Sequence, residues 1–501
     1  MSALFNSKSI AVLPFVNIGK KENDYFSDGI TEEIINALTK IEGLQVTART
    51  SSFFYKNQPL DARKIGNDLG VEILLEGSAR IINDQVRITA QLIRTDTGFH
   101  LWSENFDRNL TDIFELQDEI SLLIADKIRE NFGHFDVQDH LVKAPTSNID
   151  AYRELLKGRE LRMRWNAEDV QASIAHFDQS IALDATYADP YLEKGWAIGM
   201  LASWGYRHKA EGLTEANRHI DIGLKLNPDS ALGHYVKGTI SFWGFWNYKD
   251  AFKHLQKSLE INPNFSETQD AVADCYAGLG KIEEALKNNA VAQRINPLSA
   301  NLYFTRGNMF YFQRDFQKAL RLFDQALALD NNFPLGIEMK AAAYIFDANA
   351  IELRKLISIT NQLQRPKTCM AIYDLVHQEN CFGISSNDVA KENTQATAPS
   401  LRAWDLYYEI YKGNHQQALT LLKERVAQRS GQLFSFRNDL FLEPLRNYPE
   451  YQDIESSVFA DADVPKLPIH PKKTTNTSPF TTQQLETYVA AIEATMIDDQ
   501  L

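Results

Sequence analysis

Apolar residues recur with two different rhythms, one up to about residue 135 and another beyond it. The first rhythm mixes strand and helix periods. Ile10 to Phe15 is a continuous apolar run, as expected of a strand buried on both faces. Ile30, Ile34, Ala37, Leu38 and Ile41 then recur at three- and four-residue steps, which predicts a helix stopped near Gly43. Leu44, Val46 and Ala48 alternate with polar residues, the pattern of a half-buried strand. Asp61 is placed to cap a short helix carrying Ile65 and Leu69 and ending at Gly70. Two strand-like runs follow, Val71 to Ile82 and Val86 to Thr95, joined by an Asn83-Asp84 turn. A last helix over Asp112 to Arg129 puts Ile113, Leu116, Ile120, Leu123, Ile124 and Ile128 on one stripe. The order β-α-β-α, hairpin, helix predicts one small α/β domain over 1–135, with a linker at 136–150.

From Ala151 the rhythm becomes purely helical, with a period of about 34 residues. Asn227-Pro228, Asn262-Pro263 and Asn296-Pro297 mark helix ends, and a further step lands on Asn331. Small residues recur where paired helices approach: Gly195, Gly238, Ala273 and Gly307, facing Ala216, Ala251, Ala285 and Ala319. First helices are expected to start at Ala151, Ala188, Ala231, Ser266, Ala300 and Pro334. Repeat two carries a longer inter-helix segment, Ser203 to Thr214, with Trp204 and Tyr206. The repeats span 151–346. After Phe346 the period blurs, and 347–455 reads as degenerate capping repeats. That region has helices over Ala350 to Leu363 and Ala371 to Val376, a polar linker over Ser385 to Ala398, and a hairpin carrying Trp404, Tyr408, Tyr411, Ala418, Leu422 and Val426. A proline-rich linker occupies 456–480. An amphipathic helix follows over 481–501, with a Thr481/Gln484 capping box and the stripe Leu485, Val489, Ile492 and Met496.

Several of these segments resemble known families. Ser9 to Phe15, Phe26 to Glu33, Leu74 to Ser78, Arg87 to Leu92 and Leu101 to Asp107 resemble, in order, the TolB amino-terminal-like domain. The helical period over Ala151 to Phe346 resembles the tetratricopeptide repeat family, and Glu443 to Arg446 with Tyr448-Pro449 resembles the closing motif of repeat-containing regulators. Leu485 to Glu493 is similar to the segment that precedes an AraC-type helix-turn-helix domain. The combination implies the sensor part of an AraC-type transcription regulator. Any contact with DNA would then be made by a domain outside these residues. Relatives often carry a winged-helix or cyclase domain in front; only seven residues precede Lys8, so neither activity is carried over.

Charge and chemistry narrow the picture. With 66 acids against 52 bases the net charge is −14, which disfavours DNA or an anionic membrane as direct partners of this chain. A composition 44% hydrophobic and 24% charged suits a folded chain, and no apolar stretch reaches the ~18 residues of a membrane span. The cysteines Cys275, Cys369 and Cys381 are odd in number and far apart, so neither a disulfide framework nor a metal site is expected, and a reducing cytoplasm fits best. There is no phosphate loop. Asp28, Glu32 and Glu33 are the acids expected at a helix start, and His100 beside Trp102 reads as an aromatic core contact. No enzyme activity and no cofactor are expected. The concave face of the array should carry Tyr152, Arg159, Arg162, Trp196, Tyr235, Thr239, Trp243, Asp270, Asp274, Phe304, Asn308, Tyr311 and Glu338, with Trp246 close by. Aromatics interleaved with amides, acids and arginines suit a small ligand such as an oligosaccharide, or an extended peptide. The plainer alternative is that they pack between helices. At the level of the whole chain, a ligand sensor stands against a protein-interaction scaffold, with a homodimer through 481–501 as a further expectation.

Overall fold

The fold was analysed in a computed structural model that describes residues 8–132, 137–395, 401–433, 436–460 and 462. The helix expected over 481–501 and most of the proline-rich linker lie outside the described residues.

The α/β domain comprises β1 (Lys8–Val12), β2 (Val16–Asn17), α1 (Asp24–Leu38), β3 (Leu44–Val46), α2 (Arg49–Phe53), α3 (Ala62–Leu69), β4 (Ile73–Ile82), β5 (Gln85–Arg94), β6 (His100–Asn109) and α4 (Ile113–Phe132). The sheet order is β3-β1-β4-β5-β6. β1 runs parallel to both neighbours, pairing Ile10 with Val46 and with Ile73, while β4, β5 and β6 are antiparallel. The continuous apolar run has its cause here. Ile10 and Val12 join the core that α1 and α4 cover, and Ala11 and Leu13 join a second cluster with Ile65 and Leu69 of α3. The Asp61 carboxylate caps α3 by accepting from the Arg63 amide at 2.8 Å, and Gly70 ends the helix at φ 65°.

Two elements were not expected. β6 is an edge strand with Phe106 alone fully buried, so its sequence lacks the apolar alternation of a half-buried strand. His100 is exposed at its start rather than part of an aromatic core contact; Trp102 packs beside Phe106, with ring centroids 6.3 Å apart. α2 is a five-residue helix, too short to show a period.

Six helical hairpins follow: α5 (Ile149–Arg162) with α6 (Ala167–Leu183), α7 (Ala188–Ser203) with α8 (Lys209–Leu226), α9 (Ala231–Trp243) with α10 (Tyr248–Ile261), α11 (Ser266–Gly278) with α12 (Ile282–Ile295), α13 (Ala300–Phe312) with α14 (Phe316–Leu329), and α15 (Pro334–Phe346) with α16 (Ala350–Ile359). The first helices α7, α9, α11, α13 and α15 begin at the expected residues. α5 begins two residues early because the Asn148 side chain accepts from the amides of Asp150 and Ala151. The extended segment of repeat two is shorter than expected, since α8 starts at Lys209. The recurrent small residues permit close contact. A Cβ on Gly307 would sit 2.5 Å from the Phe323 ring, and one on Gly238 2.7 Å from Leu255.

Beyond α16 the described residues form α17 (Pro366–His377), α18 (Ser386–Gln395), α19 (Trp404–Tyr411), α20 (His415–Ala427) and α21 (Pro449–Val458). α18 replaces much of the expected polar linker. Ser385 and Asp388 cap it reciprocally, and Val389 anchors it to the core. At the centre of this region Arg402 and Asp439 are each 1% exposed and 3.2 Å apart, and Tyr407 donates its hydroxyl to Asp439.

Candidate functional site

The α/β domain is fastened to the turns that join successive repeats. The Ala48 amide donates to the Ile295 carbonyl at 2.8 Å. Ser51 donates to Asn296 Oδ1 from both its amide (3.1 Å) and its hydroxyl (2.6 Å), and that hydroxyl accepts from the Leu298 amide. Asn264 Nδ2 reaches the carbonyls of Thr39 and Leu44, and Asn262 Nδ2 reaches the Thr39 hydroxyl. Leu298 inserts beside the cluster of Tyr55, Ile65 and Leu69. Asn262 and Asn296, legible in the sequence as helix stops, are therefore also docking residues.

The docked domain contributes a carboxylate to the first repeats. Arg159 on α5 lies 2.9 Å from Glu33 of α1, 3.1 Å from Asp189 and 2.8 Å from Glu193 of α7; Arg162 lies 2.6 Å from Glu193. Both arginines and Glu193 are buried. Burial pushes the carboxyls of Glu33 and Asp189 up despite Arg159. Burial pushes Glu193 up too, but two arginines overcome it and hold its pKa below the usual value. The helix-dipole reading of the acids in α1 is thereby corrected. α1 starts at Asp24, so Asp28, Glu32 and Glu33 lie beyond its first turn, paired with Lys56, Arg49 and Arg159 respectively. Tyr152 is also taken up internally, accepting from Gln117 at 3.0 Å and meeting Phe114 edge-on at 4.8 Å.

In the middle repeats the groove keeps accessible aromatics. Trp196 and Tyr235 meet edge-on at 5.6 Å, and both are partly exposed. Thr239 donates to the Tyr235 carbonyl, one turn back on α9. Trp243 is partly exposed against Phe242. Trp246, in the turn after α9, lines one small pocket with Phe242 and Trp243 and a larger cleft with Asn217 and Lys249. On α11, Asp270 accepts from Asn301 Nδ2 at 2.6 Å and Asn289 Nδ2 at 3.4 Å, with Asp274 one turn on and partly exposed.

Burial pushes the Asp270 carboxyl from 3.8 up to about 7, and burial together with Asp270 raises Asp274. The folded state therefore binds the proton more tightly than the unfolded chain. The stability Asp270 contributes is full below pH ~4 and is lost as pH rises through ~7. Asp270→Asn should then melt above the parent protein at pH 8, with an advantage that shrinks toward pH 4. Melting temperatures across that range check this; a constant offset would contradict it.

In the last repeats the expected groove positions are buried. Phe304 is 4% exposed and packs on Phe323 and Phe333. Tyr311 is fully buried among Phe312, Phe316 and Phe346. Asn308 is buried, and Glu338 is enclosed, accepting from the Trp404 indole and the Gln364 amide. For Phe304, Tyr311 and Glu338 the packing alternative holds. The reason is tertiary: α19 and the turns after α20 fold back over α13 and α15, so groove positions there become core.

The comparisons with known proteins follow this division. Residues 6–123 match the family described as HilA/YgeH-like transcriptional regulator, second domain, and residues 300–333 match the tetratricopeptide repeat. The chain thus joins a transcriptional-regulator-like domain to tetratricopeptide repeats. It is 34% identical over 241 residues to putative adenylate cyclase 3 of Rhizobium meliloti, covering 47% of this chain and 40% of that protein. It is 28% identical over 134 residues to human tetratricopeptide repeat protein 13, covering 26% and 16%. The chain therefore spans less than half the length of these relatives. Among solved structures it is similar to YrrB, described as a tetratricopeptide protein with an unusual peptide-binding site, at 22% identity, 38% and 92% coverage and a TM-score of 0.26. Human IFIT1 in its dimer with PPP-AAAA aligns at 13% identity, 68% and 78% coverage and a TM-score of 0.42. Among the described residues no helix is long and apolar enough to cross a membrane.

Proposed function

We propose that this chain is the ligand-sensing and interaction region of a cytoplasmic transcription regulator, acting without catalysis. The groove around Trp196, Tyr235, Trp243 and Asp274 takes a small ligand, an oligosaccharide or a peptide. The observation that carries this reading is the clamp on the α/β domain. Arg159 joins Glu33 of that domain to Glu193 of α7, the helix that also presents Trp196. A ligand that prefers one setting of α7 would then bias the position of the α/β domain, as coupling between sites requires. The sequence motifs of TolB-like and AraC-type regulators support the same role, with DNA contacted by a domain outside these residues and a homodimer formed through 481–501.

A thermal-shift screen tests the groove. A bound oligosaccharide or peptide at a hundred times its Kd should add about 2.7 kcal/mol of stability. Trp196→Ala combined with Tyr235→Ala should abolish that gain. A gain that survives the double variant, or no gain from either ligand class, would overturn the reading. A scaffold without small-molecule effector is the second reading, favoured by the tetratricopeptide match at 300–333; it predicts a gain from peptides alone.

A further inference from the structure

The turn inside a repeat requires one residue in the left-handed backbone region. Gly205, Gly280 and Gly413 occupy it in three of the helical hairpins, at φ 84°, 80° and 91°, and Trp165, Arg314 and Ala348 in three others, at φ 54°, 64° and 55°. Between α9 and α10 the same position holds Trp246, at φ 54°. A residue with a Cβ costs about 1–2 kcal/mol there relative to glycine, so the fold alone does not favour tryptophan. Its indole lines an open cleft of about 590 Å³.

That cleft lies where the end of α20 meets the second and third repeats. Arg429, at φ 51°, donates to the Phe245 carbonyl, and Lys209 donates to the Arg429 carbonyl. Lys249 lines the cleft beside them. Among the described residues none of these three cations has a carboxylate within ion-pair reach, whereas Lys237, also in the lining, is paired with Asp221 at 2.7 Å. Among the described residues Asp250 is the one acid in the lining, so the described lining is cationic in a chain of net charge −14. Lys209 carries the mark of this crowding: burial and the neighbouring Arg429 lower its pKa to about 8. Amides of Asn217 and Asn247 complete the polar wall.

We propose that this cleft binds an anionic saccharide, with the sugar ring against Trp246, its acidic group between Lys249 and Arg429, and hydroxyls on Asn217 and Asn247. The warrants are the indole in the lining, the cations without an ion pair among the described residues, and the open volume together. Stacking on an aromatic face and charge-assisted hydrogen bonds are the interactions such a ligand needs. The site is separate from the groove of Trp196 and Tyr235, and its occupant would bridge α10 to α20.

Calorimetric titration of the full chain with glucuronate, glucose 6-phosphate, glucose and inorganic phosphate tests this. At least one charged sugar should bind at or below ~10 mM, about tenfold more tightly than glucose or inorganic phosphate. Glucuronate against glucose 6-phosphate tells a carboxylate from a phosphate. Arg429→Gln with Lys249→Gln should weaken that binding about tenfold or more. Trp246→Gly suits the left-handed turn, which offsets part of the packing it removes, so it should still fold while losing the preference for sugar phosphate over phosphate. No heat from either charged sugar, or binding unchanged in these variants, would overturn the proposal. Phosphate binding as tightly as the sugars would reduce the cleft to an anion site and overturn the saccharide.

Discussion

Glu193→Leu should destabilise the protein by about 3–5 kcal/mol, because it strands two buried arginines at once. Arg159 and Arg162 are each 6% exposed, and Glu193, at 2% exposure, is the carboxylate that serves both. Glu33 and Asp189 stay within reach of Arg159, but among the described residues Arg162 has no other ion pair. The loss should appear first at the junction. Amide exchange should rise in α1 and α5 before it rises in α13 or α14, since Arg159 ties α1 to the solenoid. Urea unfolding gives the magnitude and exchange gives the place. A loss below about 1 kcal/mol would show that the arginines find water or other acids on their own.

Arg402→Met should cost a similar amount, about 3–5 kcal/mol, by leaving Asp439 charged and buried without its cation. Arg402 also stacks near Tyr407 and Phe441, at 5.3 and 5.6 Å from their ring centroids. Met retains much of that apolar contact, so the loss isolates the charge. Asp439→Leu alone should be as damaging, and the two together should recover a large part of the loss. A double-mutant cycle in urea measures this; simple additivity of the two losses would contradict a coupled pair.

Much of the architecture was legible before any coordinates. The starts of α7, α9, α11, α13 and α15 followed from helix period, asparagine-proline stops and small residues, all of them local signals that recur along the array. Gly70, Asn83 and Asp61 announced their turns and cap because backbone conformation is set within a few residues. β6, α2 and α18 were missed for matching reasons. β6 buries one phenylalanine, α2 is shorter than two turns, and α18 is polar over most of its length. None offers an apolar period, and only neighbours in space hold them.

The candidate groove divides in the same way. The residues named for it do lie on first helices, which is a matter of register. Which of them stay open is not. Arg159 and Arg162 read as ligand-gripping cations, yet Glu33, 126 residues earlier in the chain, closes one of them. Phe304 is buried against Phe323 and Phe333, and Tyr311 by aromatic packing to which later residues contribute through Phe346 and Phe441. The sequence by itself determined an α/β domain, a tetratricopeptide-like array and the register of its first helices, because helix and strand periods are local. Only the tertiary structure decided that the α/β domain clamps the early repeats, that the segment carrying Arg402, Trp404 and Phe441 covers the late ones, and that Trp196, Tyr235, Trp243 and Asp274 remain partly accessible between them. Those outcomes depend on burial and charge pairing between residues from 63 to 126 positions apart, which no period along the chain encodes.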